Sequence, residues 1–514
     1  MVTNSSVSIA QVPTATRREW IGLAVIALPC LLYSMDLTVL NLAVPHLSAD
    51  LKPSSSELLW IVDIYGFLVA GSLITMGTLG DRIGRRRLLM MGAAAFGVAS
   101  VLAAFSTSAR MLIATRALLG LAGATLAPST LSLIRNMFLD PVQRTFAIGV
   151  WVTSYSVGGV IGPLLGGILL QYFWWGSVFL IGVPVMLVLL ALAPVLLPEF
   201  RDPAAGRMDV LSAALSLGAV LGVIYGLKRM AEGSLGWLPV LAIGAGLGLA
   251  LAFVRRQRRL ADPLIDLRLF RSPSFSGALA AYTLATFVGF GAYVFIAQYL
   301  QLVLGLEPLA AGLWTVPSML GYIAGSFLVP RIARRVRPAY VISAGMLVAA
   351  VGFGLLTRVE GTAGLAIIVT GSVIYSLGLS PVVILATDLI VGSAPVERAG
   401  AASAISETSS ELGGALGIAL LGSVGTAVYR LHVADNVPAG LPPEAASAAR
   451  ATLGGAAAVA GRLPDAVGAE LLQAARQAFA QAFEMAAVIN TALAIATAIL
   501  AAVLLRGVHK AGGA

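Results

Sequence analysis

Cysteine, histidine and charge are the scarce ingredients of this sequence. The single cysteine, Cys30, leaves no intramolecular disulfide, no Cys-based zinc site and no iron–sulfur cluster. Three histidines, His46, His432 and His509, are too few and too scattered for a metal cage, so neither a metal nor a cofactor is expected. Charged residues make up 11% of the 514, against roughly 25% in a soluble domain. With 58% of residues hydrophobic and a mean hydropathy of +0.92, water is not the main solvent of this chain. No nucleophile–base constellation, phosphate-binding glycine loop or ATP site is found. That argues against a membrane enzyme, and no catalytic residue is assigned. Work done by the protein must draw on an ion gradient.

What is present is a series of long apolar runs. Residues 1–19 are polar. The run that starts at Trp20 is too long for a signal-peptide core, contains Asp36 and is not followed by a small-residue cleavage site, so it is expected to stay as a first span. Fourteen spans are expected in all, near 20–44, 58–80, 88–105, 110–134, 145–170, 176–197, 209–228, 236–254, 275–301, 310–332, 339–357, 363–390, 400–427 and 484–505. The expected fold class is an all-α polytopic membrane protein.

The net charge of +9 raises the question of nucleic acid, and the distribution of the basic residues answers it. One side of the membrane receives the clusters Arg82–Arg85–Arg86–Arg87, Arg255–Arg256–Arg258–Arg259 and Arg331–Arg334–Arg335–Arg337. The short loops of the other side hold only Lys52, Arg110, Lys228, Arg229 and Arg358. This asymmetry is a topology signal, with the clusters and both termini cytoplasmic, and nucleic acid drops out as a partner.

Residues 428–483 form an Ala-, Gly- and Pro-rich stretch on the outer side. Helices are expected at 442–453 and 465–483, the second with an apolar stripe of Leu471, Leu472, Ala475, Phe479 and Phe483 and free to run on into the last span. The stretch reads as a helical hairpin resting on the protein, with a gating lid as the alternative.

The loop after the second span reads Gly77-Thr-Leu-Gly-Asp81-Arg82-Ile-Gly84-Arg85-Arg86-Arg87. Its glycines allow a tight reversal and its arginines anchor the loop. Such a charge cluster can also hold two rigid bodies together in one conformation and release them in another. This loop resembles the motif between helices 2 and 3 of the major facilitator superfamily. Met35-Asp36-Leu-Thr38 through Asn41 and Pro45 resembles the first-helix signature of the 14-helix drug:proton antiporters, and Trp60-Ile-Val-Asp63-Ile-Tyr65 agrees with that branch. Arg116 through Gly120, followed by Pro128, is similar to its proton-coupling motif. Gly158-Gly159 through Gly162-Pro163 and Gly166-Gly167 resembles its antiporter motif, and Glu407 through Glu411, Gly413 and Gly414 resembles the quaternary-ammonium and dye exporters.

The resemblance implies two six-helix bundles with two inserted helices. The boundaries are a tail at 1–19, a first bundle at 20–200, inserted helices at 201–260 and a second bundle at 261–514 that includes the outer loop 428–483. Gly77, Asp81, Gly84, Arg85 and Arg86 would form a conformational latch. The turn at Arg331, Arg334 and Arg335 stands where a second copy would lie but has no counterpart of Asp81.

An ionised carboxylate at mid-membrane costs roughly 2.5–3.5 kcal/mol, so intramembrane acids demand a use. Asp36 and Asp63 lie about 12 and 8 Å inside the outer ends of their expected spans at ~1.5 Å per residue. Glu407 and Glu411 share one face of their helix, because residues four apart are neighbours. Asp36, Glu411, Glu407 and Asp63, in that order, are the candidates for proton and cation coupling. A buried hydrogen bond or salt bridge is the ordinary alternative, strongest for Asp63 near the interface. Asp388 is assigned to that ordinary role. Arg116 is expected either to relay charge or to tie spans 1 and 4 together.

Gly158, Gly162 and Gly166 form one small-residue stripe, with Gly159, Pro163 and Gly167 beside it. Close helix packing explains such a stripe. The resemblance adds a leak-tight interface with the other bundle. Tyr33, Trp60, Phe287, Phe290, Tyr293 and Trp314 could line a cavity suited to a lipophilic cation, although Trp60 and Trp314 also fit an interfacial belt.

The function expected is a proton-driven exporter of lipophilic cationic drugs, dyes and quaternary ammonium compounds, in a bacterial inner membrane and acting as a monomer. Export of an endogenous lipid, pigment or antibiotic is the alternative. Sodium stands as the alternative to protons, because carboxylates serve both.

Overall fold

The computed structural model describes residues 13–203, 208–231, 236–260, 262–359, 364–433 and 442–508. Among them are 14 helices long and apolar enough to cross a membrane, and no strand. Spans 1 to 4 are Arg17–Leu51, Ser55–Ile83, Arg85–Ala104 and Ala109–Met137. Spans 5 to 8 are Pro141–Tyr172, Ser177–Leu196, Val210–Ala231 and Trp237–Gln257. Spans 9 to 12 are Pro273–Gln298, Pro308–Ala333, Pro338–Leu356 and Gly364–Gly392. Span 13 is Ala399–Val433 and span 14 is Asp465–Leu504.

Local chemistry starts several of these helices. Thr16 with Glu19, and Ser54 with Glu57, form capping boxes that satisfy backbone donors at the starts of spans 1 and 2. Asp140 caps span 5 by accepting from the Gln143 N–H at 2.9 Å, with Pro141 at the first helical position. Span 4 is broken after Gly123 and resumes at Leu126, and span 9 ends in a π-helical turn at Tyr299–Val303.

Spans 1–6 pack into one bundle and spans 9–14 into another, with spans 7 and 8 as an added hairpin against span 2. That hairpin is pinned at its end by Asp209 just before span 7, whose carboxylate accepts from Arg256 of span 8 at 2.7 and 3.0 Å and from the Ser212 hydroxyl at 2.6 Å. The Arg256 hydrogen bonds, followed by that of Ser212, hold the Asp209 carboxyl well below the usual carboxylate range.

The segment after span 13 rests on the protein. Two short helices, Pro443–Ala451 and Leu453–Ala460, precede span 14, and the Tyr429 hydroxyl donates to the Ala449 carbonyl at 2.8 Å. Span 14 runs unbroken for 40 residues, with Leu471, Ala475, Phe479 and Phe483 buried along one side. Phe479 and Phe483 meet Phe295 of span 9.

Candidate functional site

On the face that carries the arginine clusters, span 2 reverses into span 3 through Gly84, whose φ of 110° side-chain-bearing residues rarely adopt. Asp81, one turn before that reversal, leaves its own bundle. Its carboxylate accepts from the backbone N–H groups of Gly400 and Ala401, both at 2.9 Å, at the start of span 13. A carboxylate there satisfies orphan backbone donors and complements the helix dipole. Arg85 holds the same carboxylate at 2.9 Å and donates to the carbonyls of Val396 and Glu397 at 2.7 and 3.0 Å. One acid–base pair of the first bundle thus grips the start of a second-bundle helix.

Gly77 and Gly400 permit the approach. A Cβ on Gly77 would stand 2.5 Å from both the Gly400 carbonyl oxygen and the Ala404 Cβ. Arg86 departs from the expected latch. It donates to the carbonyls of Pro194 and Leu197 in its own bundle, while the N–H groups of Arg86 and Arg87 go to Glu199.

Two further clasps were not legible as such. Arg144 of span 5 meets Asp388 of span 12 at 2.5 Å, and the Thr145 hydroxyl donates to the other oxygen at 2.7 Å. Asp388 therefore has the salt-bridge role expected of it, and it bridges the two bundles. Asp262, after span 8, bridges Arg82 at 3.0 Å and Arg398 at 3.2 Å. Arg331, Arg334 and Arg335 enter no ion pair among the described residues.

Midway along the bundles lies the cluster that sequence placed on separate helices. Arg116, 1% exposed, forms a 2.6 Å ion pair with Asp36, donates to the Ile61 carbonyl at 3.2 Å and lies 4.7 Å from the centroid of Tyr65. Of the two expected uses of Arg116, the tie between spans 1 and 4 is present. One turn from Asp36, the Tyr33 hydroxyl crosses to the second bundle and donates to Glu411 at 3.0 Å. Tyr33 also packs on the rings of Tyr65 and Tyr155 at 6.0 and 5.7 Å. Glu407 has one buried carboxylate oxygen with no hydrogen-bond partner, and among the described residues no basic side chain pairs with Glu407 or Glu411.

Asp63 is in a different situation, ion-paired with Lys228 of the inserted span 7. From sequence alone that lysine reads as a charge of a short outer loop. The glycine stripe of span 5 also has a different neighbour from the one expected. Gly158 abuts the Leu31 carbonyl, a Cβ on Gly159 would lie 3.4 Å from Ser34 Oγ, and one on Gly166 would lie 3.1 Å from Val39, all in span 1. The stripe therefore seals spans 1 and 5 inside one bundle. Gly162 is buried and Gly167 faces open space. The side chains of Pro163, Thr38, Asn41 and Pro45 lie outside the described residues. Span 13 repeats the device in the other bundle, where Gly413 and Gly417 abut Thr283 and Phe287 of span 9.

Of the other aromatics, Phe287 is half-buried and the ring of Phe290 covers Gly414. Trp60, Phe290, Tyr293 and Trp314 are all exposed in the protein alone, and Trp60 meets Phe67 edge-on at 6.2 Å, one turn from Asp63.

A family model described as Major Facilitator Superfamily matches residues 26–418. The chain belongs to that superfamily. It is 44% identical over 477 residues to the multidrug efflux pump LfrA of Mycolicibacterium smegmatis, covering 92% of this chain and 94% of that protein. To the methyl viologen resistance protein SmvA of Salmonella typhimurium it is 38% identical over 476 residues, covering 90% and 93%. The human organic anion transporter MFSD10 superposes with a TM-score of 0.58 at 16% identity, over 93% of this chain and 99% of that one, a likeness of fold alone.

Proposed function

We propose that this protein is a proton-coupled antiporter that exports lipophilic cationic drugs, dyes and quaternary ammonium compounds from a bacterial cell. The observation that carries the reading is the pair Glu407 and Glu411, two acids on one helix face with no basic partner among the described residues, joined to the other bundle by Tyr33. An acid without a fixed counter-ion can exchange a proton for a cation. Protonated while the cavity faces the acidic outside, it repels nothing and attracts nothing. Deprotonated on the inside, it becomes the partner of an arriving cation. A shared site that excludes simultaneous occupancy is what antiport requires thermodynamically. The similarity to a multidrug pump and to a protein of methyl viologen resistance supports cations as the cargo.

Asp36 takes part through Arg116. Protonation of Asp36 removes the counter-charge of a buried guanidinium, which gives the proton leverage on spans 1 and 4. The clasps at Asp81, Asp388 and Asp262 close the arginine-rich face, which we assign to the cytoplasm with both termini and to a monomer divided at 20–200, 201–260 and 261–514. A reporter fused near Gly455 should then read as external and one near Gln257 as cytoplasmic.

The decisive experiment uses the purified protein in liposomes. An imposed pH gradient should drive counter-transport of ethidium, a protonophore should stop it, and removal of sodium should leave it unchanged. Transport that follows sodium and ignores the protonophore would sink proton coupling.

A further inference from the structure

Asp63 already holds a cation, and that cation comes from an inserted helix. Lys228 of span 7 pairs with Asp63 of span 2, and its ammonium lies 5.1 Å from the centroid of the Phe67 ring. Phe67 sits between Trp60 and Tyr225, at 6.2 and 6.3 Å. A carboxylate beside aromatic faces is the chemistry that recognises an organic cation. The lysine side chain keeps 42% of its surface exposed and the acid 13%, so the ammonium is the outer partner of the pair and the acid the more buried one.

The placement along the helices leads inward. Phe67 is one turn deeper on span 2 than Asp63, and the cluster it forms with Ile224 reaches Ala415 of span 13. Ala415 is one turn from Glu411 and on the same face. Acid, ring, small residue and acid thus follow one another from the end of the protein opposite the arginine clusters to its centre.

We propose that Asp63, Trp60, Phe67 and Tyr225 form a second binding site for lipophilic cations, an outer station on the path from Glu411, and that Lys228 is a tethered occupant which a passing cation displaces. The arriving cation takes the carboxylate and the ring faces while the ammonium swings to its exposed side. One positive charge replaces another, so the site stays neutral. The lysine then returns and competes, and Arg229 over the Tyr225 ring at 5.4 Å adds a second positive charge nearby. The station therefore releases cations and does not store them. A neutral or anionic compound has nothing to gain there. This inference rests on the reading of the protein as a cation exporter.

The test measures binding of tetraphenylphosphonium to the purified full chain in lipid nanodiscs at fixed pH. Lys228→Met removes the competing ammonium and keeps an apolar stem in place. Affinity should rise by about fivefold or more, and Asp63→Asn on top of it should abolish the gain. A folded, monodisperse Lys228→Met protein that binds like wild type would overturn the proposal. A second readout needs no variant. Saturating tetraphenylphosphonium should raise acetylation of Lys228 by an amine-reactive reagent while Lys52 stays constant as the internal control, and an unchanged Lys228 overturns the proposal equally. Wild-type protein that binds no tetraphenylphosphonium at all would remove the cation-exporter reading together with this one. Normal binding that is indifferent to Lys228 removes only the station.

Discussion

The hydroxyl of Tyr33 donates to the carboxylate of Glu411 across the boundary between the two bundles, at 3.0 Å. The contact sits one turn from the Asp36–Arg116 ion pair, so it links the charged cluster of one bundle to the acids of the other. It exists only while spans 1 and 13 are close, which makes it sensitive both to the charge on Glu411 and to the conformation of the transporter.

Tyr33→Phe keeps the ring and deletes the donor. A hydrogen bond to a charged group is worth about 1.5–3 kcal/mol, so transport driven by a pH gradient should fall by roughly tenfold or more. Expression should change little, because the ring still packs on Tyr65 and Tyr155, and thermal stability should fall by no more than the bond itself contributes. Transport at the wild-type rate would show that the cross-bundle bond is incidental.

Asp36→Asn should affect both stability and coupling. Leaving Arg116 buried without its carboxylate costs about 3–5 kcal/mol, visible as a lower melting temperature in detergent. Pairing the change with Arg116→Gln removes the stranded charge and should restore much of that stability. Gradient-driven efflux should stay lost in both variants. A double variant that exports like wild type would make the pair structural only.

At the clasp, Asp81→Asn weakens the grip on the start of span 13 without touching the central acids, so turnover should drop far more than substrate affinity. Gly400→Ala attacks the same contact sterically, since its Cβ would collide with Asp81 and stand 2.5 Å from the Gly77 carbonyl oxygen. Both variants should admit a membrane-impermeant thiol reagent to a cysteine placed at Ala404 from the arginine-rich side. Affinity that collapses in folded Asp81→Asn protein would place Asp81 in the binding site instead.

The number and order of the spans were legible because each apolar run is long enough to declare itself without knowledge of its neighbours. The loop at Gly77–Arg87 was legible as a motif because its glycines and charges lie close together in sequence. What could not be read were partnerships between distant helices. Lys228 looks like a flanking charge, and only the docking of span 7 on span 2 turns it toward Asp63. Gly400 carries no signal of its own, because its backbone N–H becomes a ligand for Asp81 only when the bundles meet. The glycine stripe of span 5 announced close packing correctly, but periodicity does not say against which helix, and the partner is span 1.

The Asp209–Arg256 clasp lies at a membrane end and gives a pH test. The folded protein holds the Asp209 carboxyl below its ordinary range, so the clasp contributes stability above the unfolded pKa and loses it as pH falls toward the folded one. Asp209→Asn should therefore lower the melting temperature at pH 7, and the gap to wild type should narrow only below about pH 4, where an ordinary Asp takes up its proton. A gap that already closes between pH 7 and 5 would assign the effect to another group.

Span 14 extends the protein beyond the lipid. Its 40 residues at ~1.5 Å each make a rod of about 60 Å, twice the ~30 Å of a bilayer's hydrocarbon. The rod is fastened near the membrane surface, where Arg476 donates to the Leu302 carbonyl at 3.0 Å and Phe483 meets Tyr299. Spans 9 and 14 must therefore tilt together. A tilt of only about 10°, well within the range helices adopt in bilayers, would swing the far tip by roughly 5 Å. The outer end of span 14, packed with the two short helices that precede it, thus gives the transporter a stiff pointer on which a spin label or a bound antibody fragment would register each half of the pumping cycle.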